Sequence, residues 1–552
     1  MRRTHPEGNA SAGDGPGVRA PHGRAPEGRV APERPPEGRA PEGDASTRQV
    51  SQGHGPENDA SQGGAFEGAV PEGAVSEGGA SDGAVPEGAV SRGNASEGGA
   101  SEGHGRGART RRDPAPEGRD AGGKATEGRR GRPPGARDLG HHPPHGHGPV
   151  RYGPHLPGDG LPVLPELSAV LAASAGRAGE EPVGGAPALL ESACGYWERR
   201  GLPTEPGQVA AAPGAHSLLL ALTAALGGDV LVPRPCAAWW APDARLLGRP
   251  VFHVPTPAES GGVPDPYALL ETVRRVRDEG GEPRLLVLSV ADDPTGTVAP
   301  PELLHETVEA AAGEGLHLVS DETWRDTLHD PHGTVLLSPA EMLPERVTVV
   351  TDLAGAFLPP GWPAAVARLP ASAAGQDLHA RALDVLTALG ARLAAPLAAA
   401  AGYALDEPEP VTARRTAAVR LHARLAAAVH AAVVAAGATA RPPQAGRHLY
   451  ADLGPLRDAL AAQGVGDAQE LEDFLTARLG MPAPGGHRFG DDLPALRVRL
   501  STGPLPAGAD EPGAHFPTTT DPLELPHVHS ALARLKSVFG DLRDAQRWEP
   551  PR

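Results

Sequence analysis

The first 148 residues of this 552-residue chain carry almost no large apolar side chains. Units such as PEGA, SEGG and SDGA recur there, and the block holds a disproportionate share of the chain's 73 Gly. Such a segment cannot bury enough apolar surface to offset the entropy of ordering it. It is expected to be a disordered tail, so the folded body must be built from the residues beyond it. The repeat has an irregular period of about five residues, too short for a solenoid or propeller unit. His141, His142, His145 and His147 close the block. They read as a flexible linker and not a metal site, because nothing nearby would orient them as ligands.

Charge and cysteine usage narrow the classes further. A formal charge of −18 argues against a nucleic-acid partner, which would call for a basic face. Cys194 and Cys236 are too few for a disulfide framework and wrongly spaced for zinc. The start, MRRTHPEGNA, has no apolar secretory core. The stretch Leu425 to Gly437 is Ala-rich but contains His430 and is too short to cross a bilayer. The expectation is a soluble cytoplasmic protein with no membrane partner.

From about residue 149 apolar runs alternate with amphipathic stretches. His216 to Leu226 predicts a helix. Asp229 to Val232, Arg249 to Val254, Leu316 to Val319 and Val347 to Val350 predict strands. Leu285 to Val290 (LLVLSV) is a continuous apolar run, as expected of a parallel strand buried on both faces. Pro300 to Ala312 predicts a helix with proline in its first turn. Alternating strands and helices imply an α/β domain with a mostly parallel sheet. Two long helices, Leu378 to Ala401 and Val411 to Ala436, should follow. Strands at His448 to Leu453 and Leu496 to Ser501 would then build a smaller α+β domain. The boundaries read as tail 1–148, an arm and part of the small domain 149–195, a large domain 196–375, linking helices and small domain 376–540, and a frayed end 541–552.

Several segments carry chemistry. In AAPGAHSLLLALTAAL a glycine turn opens a helix, so backbone N–H groups of Gly214, Ala215 and His216 form an anion site at the positive end of the helix dipole. GGDVLVPRPCAAWWAP places two adjacent aromatics, Trp239 and Trp240, after a predicted strand. SVADDPTGTVAP places Asp293 before a proline, and SDETWRD places Asp321 at a strand end with Trp324 three residues on. VTDLAGAFLPPGWP holds Asp352, Ala354, Gly355 and Pro363 around Phe357, Gly361 and Trp362. In ALRVRLS, Arg497 and Arg499 share one face of a strand, and either guanidinium could fork a carboxylate.

In order and spacing these segments resemble the class I/II aminotransferases, the pyridoxal-phosphate (PLP) enzymes of fold type I, over about residues 150–540. The resemblance implies a large domain with a mostly parallel sheet, a smaller α+β domain and a homodimer. It implies transfer of an amino group between an amino acid and a 2-oxo acid, with PLP as cofactor. The phosphate would lie on Gly214, Ala215 and His216, the ring between Trp240 and Asp321, and the phenolic oxygen near Asp293 and Trp324. Arg497 would grip the substrate carboxylate, Arg499 being the alternative. The register set by Gly361 and Trp362 puts Gly355 where the family has its Schiff-base lysine. Asp352 and Ala354 then take the two serine positions, and Pro363 that of the phosphate-clamping arginine. The chain has two lysines in all, Lys124 in the tail and Lys536 near the end. A guanidinium cannot replace the amine, because it stays protonated. The expectation is a degenerate, inactive or impaired aminotransferase with no catalytic residue at the lysine position. The alternatives are a working PLP enzyme with an atypical site, and a non-catalytic scaffold that recruits partners through its N-terminal tail.

Overall fold

The computed structural model describes residues 150–152, 163–177, 181–257, 260–505 and 522–547. The repeat block and the histidine cluster lie outside them. Seven strands, β1 (Val209–Ala212), β2 (Asp229–Arg234), β3 (Val251–Pro255), β4 (Pro283–Ser289), β5 (His317–Asp321), β6 (Val347–Asp352) and β7 (Ala365–Arg368), form one sheet in the order β1-β7-β6-β5-β4-β2-β3. Strands β3, β2, β4, β5 and β6 are mutually parallel, and β7 is antiparallel to both β6 and β1.

Both faces of this sheet are buried, and β4 shows how. Leu285 and Val287 pack into one layer with Val230, Val232, Val319 and Val350. Leu286 and Leu288 pack into the other with Leu231, Leu318, Val347 and Val349. Side chains alternate across a strand, so a strand covered on both faces reads as an unbroken apolar run.

The helices before and around the sheet are α1 (Pro165–Ser174), α2 (Pro187–Glu198), α3 (Ala215–Leu226), α4 (Trp240–Leu246), α5 (Pro266–Asp278), α6 (Pro301–Gly313) and α7 (Pro339–Met342). Prolines open several, and Asp265 caps α5 by accepting from Tyr267 N (2.9 Å) and Ala268 N (3.0 Å). The expected helix over 378–401 is two helices, α8 (Ala373–Ala388) and α9 (Ala395–Leu405). Gly390 adopts φ 63, and Pro396 opens the second helix, so the chain turns between them.

Helix α10 (Glu409–Ala435) leads to the smaller sheet of β8 (Thr439–Ala440), β9 (His448–Asp452) and β10 (Arg497–Ser501), antiparallel in the order β10-β9-β8. By length and composition α10 could cross a membrane, but Leu421, Leu425, Val429 and Val433 lie in the core of this second sheet. Helices α11 (Arg457–Ala461), α12 (Ala468–Leu479) and α13 (Pro526–Arg547) complete that core. Val528, Leu532, Leu535, Phe539 and Leu542 recur at helical spacing along α13 and are buried. The helix therefore continues to Arg547, into the segment expected to be frayed.

Phe539 is fully buried. Phe539→Ala is expected to cost about 3–5 kcal/mol, read as a lower urea midpoint with the m-value unchanged.

Candidate functional site

The carboxyl ends of β4, β5 and β6 lie side by side, and each delivers an aspartate. Asp293 follows β4, Asp321 ends β5 and Asp352 ends β6. Strand β1 runs the same way as β6, so its exit through Gly214 brings the start of α3 to the same edge. From the smaller sheet, Arg447 and His448 at β9 and Arg499 and Ser501 on β10 close over them. The result is a cavity of about 360 Å³. Crevices outside the carboxyl ends of parallel strands are where α/β sheets bind ligands.

The start of α3 has an internal partner. Asp352 Oδ2 accepts from Ala215 N at 2.8 Å, and its Oδ1 accepts from Ala354 N at 2.9 Å. Gly214 makes the turn at φ 86, a conformation that favours glycine. Burial raises the Asp352 pKa, while the two backbone N–H groups and His216 work against that rise. One carboxylate thus bridges the helix start and the loop after β6.

That loop leaves no room for a side chain at Gly355. A Cβ there would sit 2.2 Å from the Thr323 carbonyl oxygen and 2.8 Å from its methyl group. Two buried arginines hold the loop's carbonyls: Arg447 Nη2 donates to Gly355 O at 2.9 Å, and Arg414 Nη2 donates to Phe357 O. Burial pushes the Arg447 pKa down to about 10, with Arg414 adding to the effect. Lys536 lies on an exposed position of α13 and does not line the cavity.

The remaining charges are unevenly matched. Arg499 Nη1 donates to Asp293 Oδ1 at 2.7 Å, and its guanidinium lies over the Phe489 ring. Burial would raise the Asp293 pKa, but Arg499 and His448 hold it below the ordinary value. Burial and Arg499 push His448 down to about 3. Asp321 accepts from Thr323 N at 3.0 Å. Burial lifts its pKa to about 6 against the Thr323 hydrogen bonds, helped by Asp293 and Asp352. Trp324 forms one wall, edge-on to His448 at 5.0 Å, and Trp239 another, 4.6 Å from the His216 ring.

Gly214, Ala215, His216, Asp293, Asp321, Trp324, Gly355, Asp352 and Pro363 therefore do line one cavity. Two expectations need correction. Trp240 is 1% exposed and packs in the core beside α3, whereas Trp239 lines the cavity. Arg497 pairs with Asp452 (3.1 Å) and Asp491 (2.9 Å) and lines a separate cavity of about 230 Å³, leaving Arg499 as the strand arginine at the site. The two share a face but stand about 7 Å apart along the strand, enough to serve different clefts. Arg447, His448 and Thr323 were not singled out from the sequence. An arginine and a histidine side by side at the opening of a strand were the available signal for the first two.

The sequence profile of the family described as aminotransferase class I and II matches residues 161–499. A probable aspartate/prephenate aminotransferase of Thermus aquaticus is 31% identical over 191 residues, 34% of this chain and 48% of that protein. The aspartate/prephenate aminotransferase of Thermus thermophilus is 31% identical over the same length, 34% of this chain and 47% of that protein. The chain thus spans about half the length of these curated relatives. Among solved structures, aspartate aminotransferase from Thermus thermophilus with maleate aligns with TM-score 0.56 at 22% identity, covering 70% of this chain and 90% of that one. An aromatic aminotransferase from Pyrococcus horikoshii aligns with TM-score 0.57 at 19% identity, covering 69% and 94%. At these identities the structural likeness establishes the fold.

Gly355→Ala is expected to lose about 2–3 kcal/mol, because the new methyl must displace the Thr323 backbone; chemical denaturation reads it. Asp321 gives a pH-dependent test. Between the ordinary aspartate pKa and about 6, the unfolded state releases its proton before the folded state does, so stability falls as pH rises. Asp321→Asn removes that share. Its stability relative to the native chain should rise by on the order of 2 kcal/mol between roughly pH 4 and pH 7, measured by denaturant titration at each pH.

Proposed function

Since this chain belongs to the aminotransferase class I and II family, we propose that it is a member without transaminase chemistry, retaining the fold and the cavity as a binding or regulatory body. The observation that carries this reading is Gly355, which stands where the family resemblance puts the Schiff-base lysine and packs against the Thr323 carbonyl. A primary amine has two duties in such enzymes: it forms the imine to the coenzyme and then carries the proton. Among the described residues no lysine lines the cavity.

Pyridoxal 5′-phosphate does not fit the residues present. The Ala215 N–H that would meet its phosphate already donates to Asp352. A dianion placed there would face that carboxylate at close range, with Pro363 supplying no cation. Asp293, paired with Arg499, accepts hydrogen bonds and donates none when ionised, so it would repel a phenolate oxygen. Asp321 could still face a ring nitrogen, but one favourable contact does not offset the others. The amino acid and 2-oxo acid of the family reaction are therefore not substrates in this reading. The homodimer that the family resemblance implies is retained in it.

Purified full-length protein mixed with PLP is expected to show only the spectrum of free coenzyme. Borohydride should then fix no mass to the chain, and an amino donor with a 2-oxo acid should give no turnover above a coenzyme-only control. A coenzyme-specific, reducible adduct on the polypeptide, or saturable transamination, would overturn the proposal.

A further inference from the structure

A further cavity, of about 750 Å³, lies away from the strand ends. It is formed by the end of α2, the turn after β5, the α9–α10 junction and the first half of α10, and it is lined by five arginines. Such a concentration is unexpected on a chain with a formal charge of −18.

The charges do not cancel. Arg325 is neutralised from behind by buried Glu322, at 2.7 Å. Among the described residues, the other four, Arg199, Arg200, Arg415 and Arg420, line the cavity with two carboxylates, Glu407 and Asp326, so the lining carries an excess of two positive charges. Arg200 forks Glu407 with Nη1 to Oε2 at 2.9 Å and Nη2 to Oε1 at 2.8 Å. Its Nη2 also donates to Asp326 Oδ1 at 2.6 Å. Arg199 Nε donates to Glu407 Oε2 at 2.9 Å, and Arg415 donates to the same carboxylate. Arg420 is exposed and has no acidic partner among the described residues.

Glu407 holds this arrangement from a strained backbone. At φ 52 it is the one non-glycine residue with positive φ among the described residues. A side chain kept in the left-handed region while gathering three guanidinium groups is a preorganised feature, and strain of this kind collects at binding sites. The carboxylate fixes three guanidinium groups in place, and the exposed Arg420 lines the cavity beside them. Planar guanidinium groups match phosphate oxygens in both geometry and charge.

We propose that this cavity binds a small oligophosphate, free or carried on an organic group, with at least two negative charges. The proposal is independent of the absence of transaminase chemistry, because it uses none of the residues at the strand ends.

The test is calorimetric titration of the full chain with inorganic pyrophosphate and, separately, with ADP. One-site saturable binding that weakens with added salt is expected. Arg420→Ala should weaken it roughly tenfold or more, while Arg274→Ala, which removes an exposed arginine on α5, should leave it unchanged. A melting curve confirms that both variants fold. Tighter binding of ADP than of pyrophosphate assigns the ligand to organic phosphates; equal binding assigns it to the phosphate groups alone. Failure of both probes to bind overturns the proposal. So does equal weakening by the two substitutions, which would mean diffuse attraction, and so does citrate binding as tightly as pyrophosphate.

Discussion

The Ala215 N–H donates to the Asp352 carboxylate, and the character of the strand-end cavity depends on that bond. A helix start offers free N–H groups and a positive dipole end, and an anion normally supplies what they lack. In this chain the anion is covalently part of the protein. It arrives at the end of β6, one strand position from the loop it also ties down through Ala354 N. An external phosphate would have to displace a partner whose effective concentration is fixed by the fold, and then sit beside the displaced charge.

The neighbouring groups share the same pattern of internal pairing. Arg499, which could reach a ligand carboxylate, is held by Asp293. Arg447 turns its Nη2 to the Gly355 carbonyl, close to where a lysine side chain would begin. Gly355 in turn lies so near Thr323 that a Cβ does not fit. The tight packing at residue 355 and the internal pairing of the cavity's charges are mutually consistent with the proposed reading. The segment Asp321 to Asp326 connects this cavity to the basic one: Asp321, Thr323 and Trp324 face the strand ends, and Arg325 and Asp326 face the arginine cluster.

Much of the fold was legible because burial leaves a period in the sequence. β4 is an apolar run because both its faces are covered, and the helices begin at proline and aspartate as capping requires. The break between α8 and α9 was harder to read: Ala and Leu continue across it, and one glycine conformation turns the chain. β7 is four residues long with no alternation to betray it. At the site, local sequence identified the residues at strand ends and helix starts, since backbone direction places them. It favoured Trp240 over Trp239 and Arg497 over Arg499, whereas Trp239 and Arg499 line the cavity. Those choices depend on which cleft a side chain meets, which the pairing of β10 with β9 and the seating of α4 decide. Asp352 was visible as a negative charge in an anion site. Its bridge between Ala215 and Ala354 required the third dimension.

The most direct measurement is a crystal structure of the full chain grown with excess pyridoxal 5′-phosphate. The expected result is an Asp352 carboxylate within hydrogen-bond distance of the Ala215 N–H, with no phosphate on Gly214 to His216. A phosphate seated on those N–H groups, with Asp352 turned away, would contradict the account.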